Sequence, residues 1–338
     1  MAFATTSRPR GVKVKGLLGL AAALSFGLAV TGCSAAEDGK GKEGSATEQL
    51  NIVATTNVYG DIASSVAGEH GKVSSIISNA AQDPHSYEAT AKDKLAISKA
   101  DVVIINGGGY DYFAEQIIED LGDKAPTVVK SFEGEGHSHD HEHDHGEEGH
   151  EHGHEGHSHA HGENEHVWYD LDHMEEFVGE VGEALAKADP DNAKTYEENA
   201  SKLAEEISDV TDSEDFKAAE KKFKGKSFMM TEPVPEALLN ELGMEDGTPE
   251  GLSSAVEAGQ EIPALVIKRA EDSLKQGKVQ LFAFNSQTAD PQTKKLYESA
   301  QKAGVPTVDV TETIPEGKTF VEWMKDNVAA IAKAVDAK

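Results

Sequence analysis

LNIVATTNVYGDIASSVAG, residues 50 to 68, joins two kinds of pattern without a break. Its first part, LNIVATT, is a short run of apolar and β-branched residues, which is typical of a strand that a sheet buries on both faces. Its second part, VYGDIASSVAG, spaces its apolar residues as a helix does. The stretch therefore predicts a strand that leads directly into a helix, which is the repeating unit of a parallel α/β sheet.

The same unit recurs on both sides of a long helical region. The further predicted strands are VSSIIS (73–78), DVVIIN (101–106) and PTVVKS (126–131), followed by SFMMTE (227–232), VQLFAFN (279–285) and PTVDVTE (306–312). Helical patterns lie between these strands and after the last of them. The predicted fold class is α/β, with one α/β sandwich lobe over residues 49–172 and a second over residues 223–338.

The region between the lobes, residues 173–222, is predicted to be helical. DLDHMEEFVGEVGEALAKA predicts a helix that ends near Ala188, and Pro190 suits the first turn of the next one. The following stretch, DNAKTYEENASKLAEEISDVTD, continues for several turns and is rich in Ala, Glu and Lys. Because such helices are stiff spacers, we expect a long rigid helix to join the lobes.

The amino-terminal segment has the features of an export signal. A positively charged start, an apolar run from Leu17 to Val30 and small residues predict a signal peptide over residues 1–32. Cys33, the single cysteine, stands in VTGC, which resembles a bacterial lipobox, whose cysteine is lipidated. Residues 33–48 are polar and Gly-rich and predict a flexible tether. We therefore expect an extracytoplasmic protein, lipid-anchored to the cell membrane through Cys33.

The charge balance and the histidines both indicate cations as partners. A net charge of -30 argues against nucleic acid, which is bound by Lys and Arg. Residues 134–165 form a His-rich insertion that is predicted to be disordered, because it is polar and Gly-spaced. We expect its histidines to be accessory, weak metal sites, and a solvated linker is the alternative. These eleven residues are His137, His139, His141, His143, His145, His150, His152, His154, His157, His159 and His161.

Four other side chains that can bind metal follow predicted strands: His85, His166, Glu232 and Glu312. Because ligands of open α/β sheets bind beyond the carboxyl ends of the strands, we expect these residues to meet in a cleft between the lobes. Imidazole suits zinc, and carboxylate suits harder ions such as manganese. Each residue also has a structural explanation, as a turn histidine, an imidazole packed on Trp168, or a capping carboxylate.

From about Leu50 onward the chain resembles the solute-binding lipoproteins of bacterial zinc and manganese ABC importers. The resemblance lies in DPHSYE, the His-rich insertion, HVWYDLDHM, ADPDNAKTYEENASKL and the carboxy-terminal strand-helix pairs. It implies two α/β lobes on a rigid connecting helix, with His85 and His166 as the first two ligands. By analogy Glu232 is the third ligand, and Glu312 or Asp309 in VDVTETIPEG is the fourth.

The resemblance implies a monomeric binding subunit that captures Zn²⁺ and works with a permease and an ATPase. The acidic third and fourth positions favour manganese, whereas the His-rich insertion favours zinc, so Mn²⁺ stays as an alternative. A zinc store or surface adhesin is a second alternative, in which the insertion is the main site. An extracytoplasmic metalloenzyme is a third alternative. HExxH occurs only inside the His-rich insertion, at 141–145 and 150–154, where no helix is predicted to hold it, and we expect no enzymatic activity.

Overall fold

The structure, a computed structural model, describes residues 49–79, 82–134 and 164–336. The predicted signal peptide, Cys33, the tether and the eleven clustered histidines lie outside the described residues. Within the described ranges, no helix is both long enough and apolar enough to cross a membrane.

The first lobe is built on a parallel four-stranded sheet. Its strands are β1 (Leu50–Thr56), β2 (Gly71–Ile77), β3 (Val102–Gly107) and β4 (Thr127–Phe132), in the spatial order β2-β1-β3-β4. Its helices are α1 (Asn57–Ala67), α2 (Ala91–Ser98) and α3 (Tyr112–Leu121). Ile104 on one face of β3 and Val103 on the other are both fully buried, in different apolar clusters. The continuous apolar runs in the sequence arise from this burial on both faces.

The second lobe repeats this arrangement. Its strands are β5 (Ser227–Met230), β6 (Glu245–Asp246), β7 (Leu281–Asn285) and β8 (Thr307–Val310), all parallel, in the order β6-β5-β7-β8. Its helices are α7 (Glu236–Glu241), α8 (Ser253–Glu257), α9 (Ala264–Lys275), α10 (Pro291–Lys302) and α11 (Phe320–Asp336). The α/β prediction with two sandwich lobes is confirmed. The sequence pattern missed β6 and α8, which are only two and five residues long.

Three helices connect the sheets. They are α4 (Leu171–Ala188), α5 (Ala193–Asp212) and α6 (Glu214–Phe223), with a 3-10 turn at Pro190–Asn192 before α5. α4 packs against α5, and a Cβ at Gly182 would lie 2.7 Å from Cβ of Ala200, so glycine permits this close approach. α5 spans about 30 Å at 1.5 Å per residue and contacts α1 and α4 as well as α6 and α11.

The two lobes share one apolar core and a polar junction. A single cluster of buried residues includes Ile52 of β1, Ile207 of α5 and Phe228 of β5. At a separate place, the side-chain amide of Asn57 donates to the backbone oxygen of Ile314 at 2.8 Å, and the Ile314 backbone N–H donates back at 3.0 Å. The first lobe is thereby joined to the second by apolar contacts and by hydrogen bonds, and the Phe320 backbone N–H adds a further bond to Oδ2 of Asp61.

Candidate metal centre

All four sequence-predicted residues lie beyond the carboxyl ends of strands. His85 follows β2, His166 follows β4, Glu232 follows β5 and Glu312 follows β8. Nε2 of His85 lies 3.7 Å from Oε2 of Glu312, and the ring centroids of His85 and His166 are 5.4 Å apart. The ends of two separate sheets thus bring imidazoles from one lobe next to a carboxylate from the other.

His166 is oriented by a neighbouring amide. Its imidazole is fully buried, and Nδ1 lies 2.8 Å from Oδ1 of Asn164, which can only accept a hydrogen bond. Nδ1 therefore carries the proton, and Nε2 keeps its lone pair, with no hydrogen-bond partner among the described residues. Burial, and then the proximity of His85, hold the pKa of His166 well below its usual range.

His85 stands on a turn that Asp83 closes, because the His85 backbone N–H donates to Oδ1 of Asp83 at 3.0 Å. Nδ1 of its ring lies 3.8 Å from Glu165, and Nε2 is buried without a hydrogen-bond partner in the described part of the chain. Burial lowers the pKa of His85, although Glu165 and Asp83 oppose this effect. Both imidazoles are therefore neutral near pH 7 and able to donate a lone pair to a cation.

An amide joins the two carboxylates of the second lobe. Nδ2 of Asn285, at the end of β7, donates to Oε1 of Glu312 at 2.7 Å and also to Oε2 of Glu232. Glu312 is fully buried and accepts a further bond from the hydroxyl of Tyr110, and Glu232 accepts one from the hydroxyl of Thr288. Burial and the nearby Glu232 raise the pKa of Glu312 to about 8. Burial also raises the pKa of Glu232, against the two hydrogen bonds that it accepts.

The alternative fourth residue, Asp309, has a different position. It lies within β8, opposite Phe284 of β7, and its side chain is exposed. Glu312, two residues beyond the strand, is the acidic residue of this segment that lies beside His85. The geometry therefore favours Glu312 over Asp309 as the partner of the imidazoles.

The sequence analysis missed a fifth residue, Glu257. It is the last residue of α8, and its Oε1 lies 3.9 Å from Nδ1 of His166. One ligand atom each from His85, His166 and Glu257 lie within 4.8 Å of one another. The sequence analysis predicted no strand between residues 232 and 279, so a search of predicted strand ends could not find Glu257. The sequence signal that could have indicated a helix here is the pair Leu252 and Val256, two apolar residues at helical spacing. Val256 directly precedes Glu257.

Electrostatic repulsion is concentrated in this region. Burial, and then the nearby Glu165 and Glu232, raise the pKa of Glu257 to about 8. Glu232 and Asp83 act on Glu312 in the same direction. A cation between these carboxylates would relieve the repulsion and favour their charged forms. Together with two neutral imidazoles, the arrangement is suited to a divalent first-row transition metal ion.

Residues 52–334 match the sequence model of the family ZnuA, zinc-uptake complex component A, periplasmic. The chain belongs to this family. Among the curated relatives of this ZnuA-family chain is the manganese-binding lipoprotein MntA of Bacillus subtilis (strain 168), 36% identical over 107 residues, which are 31% of this chain and 33% of the relative. The manganese ABC transporter substrate-binding lipoprotein PsaA of Streptococcus pneumoniae is 33% identical over 110 residues, 31% of this chain and 33% of the relative. The matched segments span about a third of the length of these relatives.

Solved structures resemble the ZnuA-family chain over most of its length. The periplasmic zinc-binding protein TroA of Treponema pallidum superposes with a TM-score of 0.66 at 17% identity, covering 85% of this chain and 99% of TroA. Zn(II)-bound AdcA of Streptococcus pneumoniae superposes with a TM-score of 0.62 at 20% identity, covering 86% of this chain and 58% of AdcA. At these identities the similarity establishes the fold, and the ligand set has to be argued from this chain's own residues.

Proposed function

We propose that the chain is the extracytoplasmic substrate-binding subunit of a metal-ion ABC importer, which captures Zn²⁺ between its lobes and delivers it to a membrane permease. One observation carries the proposal. Two imidazoles of the first lobe, His85 and His166, have buried Nε2 atoms without hydrogen-bond partners among the described residues. His85 lies beside the buried carboxylate of Glu312, and His166 lies beside the half-buried carboxylate of Glu257, both in the second lobe. Neutral imidazole is the preferred nitrogen ligand of zinc, and carboxylates can complete a tetrahedral site.

Manganese is the second candidate substrate. The site contains three carboxylates of the second lobe, Glu232, Glu257 and Glu312, against two imidazoles, and oxygen donors suit Mn²⁺. The names of the curated relatives MntA and PsaA describe manganese proteins, which supports this alternative. We rank zinc first because the eleven clustered histidines have little affinity for manganese.

The remaining parts of the proposal follow from the sequence. Lipidation at Cys33 would hold the protein at the outer face of the cell membrane, and a permease and an ATPase would be its partners. A monomer and the lobe boundaries at 172–173 and 222–223 remain predictions. The His-rich insertion would raise the local metal concentration, because its last clustered histidine, His161, is only five residues before His166 in the sequence.

Deleting residues 137–161 tests the proposal against a metal store. Calorimetric titration with zinc, followed by competition with manganese, would be compared for the full chain and the deletion variant. An importer subunit keeps one tight site after the deletion, whereas a store loses nearly all of its capacity. A tight site that manganese displaces would transfer the assignment to Mn²⁺. Turnover of peptides or esters by the zinc-loaded chain would instead revive the metalloenzyme hypothesis.

A further inference from the structure

Gln287, in the loop that follows β7, is bound by both lobes through one side-chain amide. Its Oε1 accepts the backbone N–H of Glu312 at 3.1 Å and the hydroxyl of Thr313 at 3.2 Å. Its Nε2 donates to the backbone oxygen of Gln82 in the first lobe, also at 3.1 Å. The carbonyl end of this amide is therefore bound to the second lobe and the N–H end to the first.

The first-lobe partner of Gln287 lies directly before the turn that carries His85. Gln82 donates its backbone N–H to the backbone oxygen of Asn79 at 3.2 Å, and its side-chain oxygen accepts the side-chain amide of Asn79 at 3.0 Å. His85 stands three residues further on, where its backbone N–H is bound by Asp83. A bond to Gln82 thus fixes the segment that presents the His85 imidazole.

The second-lobe partner of Gln287 is the backbone of Glu312, whose carboxylate faces His85. Asn285 holds that carboxylate with its side-chain amide, and Oδ1 of Asn285 accepts the backbone N–H of Gln287 at 3.0 Å. Oε2 of Glu312 lies 3.7 Å from Nε2 of His85. Gln287 therefore joins the backbones of two segments whose side chains face each other across the lobes.

The link uses no donor atom of the imidazole or of the carboxylate, so it can place both side chains before an ion arrives. Two unlinked segments would have to be ordered during binding, and the cost of ordering them would lower the affinity. Around a tetrahedral zinc ion with bonds of about 2.1 Å, ligand atoms lie about 3.4 Å apart, which is close to the 3.7 Å between His85 and Glu312. Loss of an outer hydrogen bond typically lowers metal affinity about 10- to 100-fold.

We propose that Gln287 is a positioning residue that sets the distance between His85 and Glu312 by joining their backbone segments across the lobes. The inference rests on the proposed function, because it describes how the same site is organised before the ion binds. Gln287 does not contact the ion in this arrangement. Its role requires an amide, since the Oε1 acceptor serves the second lobe and the Nε2 donor serves the first.

The test uses the full chain in which each of the eleven clustered histidines is replaced by Ser, so that only the central site binds tightly. In this parent, Gln287→Met removes the amide and keeps the length of the side chain, and Gln287→Asn keeps an amide that is too short to reach both partners. The matched control is Gln292→Met. The Gln292 amide also bonds at both ends, to the backbone N–H and oxygen of Ile262, but only within the second lobe.

Zinc affinity is measured by competition with a chelator, and hydrogen exchange of the metal-free chains is followed by mass spectrometry. We expect both Gln287 variants to lower zinc affinity about tenfold or more, and Gln292→Met to leave it within about threefold. Without metal, Gln287→Met should speed exchange in both lobes, in residues 82–86 and 311–313, whereas Gln292→Met should do so only in the second lobe. The visible spectrum of bound Co²⁺ should be the same in Gln287→Met as in the parent, because the ligands are unchanged.

A double-mutant cycle separates positioning from general destabilisation. If Gln287 acts by placing His85, Gln287→Met should cost much less affinity in a His85→Ala background than in the parent. Equal fold-losses in the two backgrounds, a loss that Gln292→Met reproduces, or a tight site that Gln287→Met leaves within about threefold would each overturn this inference alone. A parent without any tight site overturns the proposed function and this inference with it.

Discussion

Nε2 of His85 lies 3.7 Å from Oε2 of Glu312, although the two residues follow strands of different sheets. This pair is a contact between a neutral imidazole and a buried carboxyl group whose pKa is raised to about 8. Burial lowers the pKa of His85, so the pair is not an ion pair near pH 7. An ion held by both groups would therefore link the first lobe to the second.

The first prediction concerns the imidazoles. His166→Ala should lower zinc affinity about 100-fold or more, because it removes a proposed ligand whose lone pair has no other partner among the described residues. The matched control is His173→Ala, whose Nε2 is 3.1 Å from Ser131 and which the structure places outside the ligand group. The zinc affinity of both variants is measured by competition with a chelator, in the full chain with each of the eleven clustered histidines replaced by Ser. Equal losses in the two variants would contradict the prediction.

The second prediction is that zinc binding releases protons at pH 7. The pKa values of Glu257 and Glu312 are raised to about 8, so both groups are largely protonated without metal, and an ion bound beside them would release these protons. The imidazoles contribute little, because burial lowers their pKa values. Zinc affinity should therefore rise with pH up to about 8.

Calorimetric titrations in buffers of different ionisation enthalpy count these protons. We expect between one and two protons released per ion at pH 7, and about one fewer for Glu257→Gln. A count near zero, or a count that Glu257→Gln leaves unchanged, would show that these carboxyl groups are already ionised before metal arrives.

The third prediction concerns stability and an acidic group outside the site. Burial, and then Asp172 and Asp170, raise the pKa of Glu241 to about 7. The folded state therefore binds this proton more tightly than the unfolded state, so stability falls as pH rises from about 4.5 to about 7. Glu241→Gln should stabilise the protein by about 1 kcal/mol at pH 8, after allowance for partial exposure, and by almost nothing at pH 4. Urea unfolding at both pH values measures the difference, and a gain of equal size at both would contradict it.

The fourth prediction concerns the polar junction between the lobes. Asn57→Ala should lower the free energy of unfolding by about 1 to 3 kcal/mol, because both backbone groups of Ile314 lose their partner. Asn199→Ala is the control, since its amide makes a single hydrogen bond, from α5 to the backbone oxygen of Val66 in α1, and the loss of this bond should cost less. Denaturant unfolding compares the two. A smaller loss of unfolding free energy for Asn57→Ala than for Asn199→Ala would contradict the prediction and would mean that solvent replaces both bonds.

The sequence predicted the strands well and the second-lobe site only in part. Buried runs such as the one around Ile104 have a strong apolar signal, and the same topology places residues such as His166 at strand ends. β6 has no such signal, because Glu245 and Asp246 are both exposed. Glu257 was missed because its helix is too short for a periodic pattern. The bridging amide of Asn285 depends on the packing of three strands, which no local pattern encodes.

The hydrogen bonds between Asn57 and Ile314 are not the only ones that cross between the lobes in the described residues. The Gln287 side-chain amide donates to the backbone oxygen of Gln82, and the Asn164 side-chain amide donates to that of Pro233. Any movement of one lobe against the other has to break some of these bonds. A metal ion would therefore enter more readily through rearranged side chains than through a wide opening of the lobes.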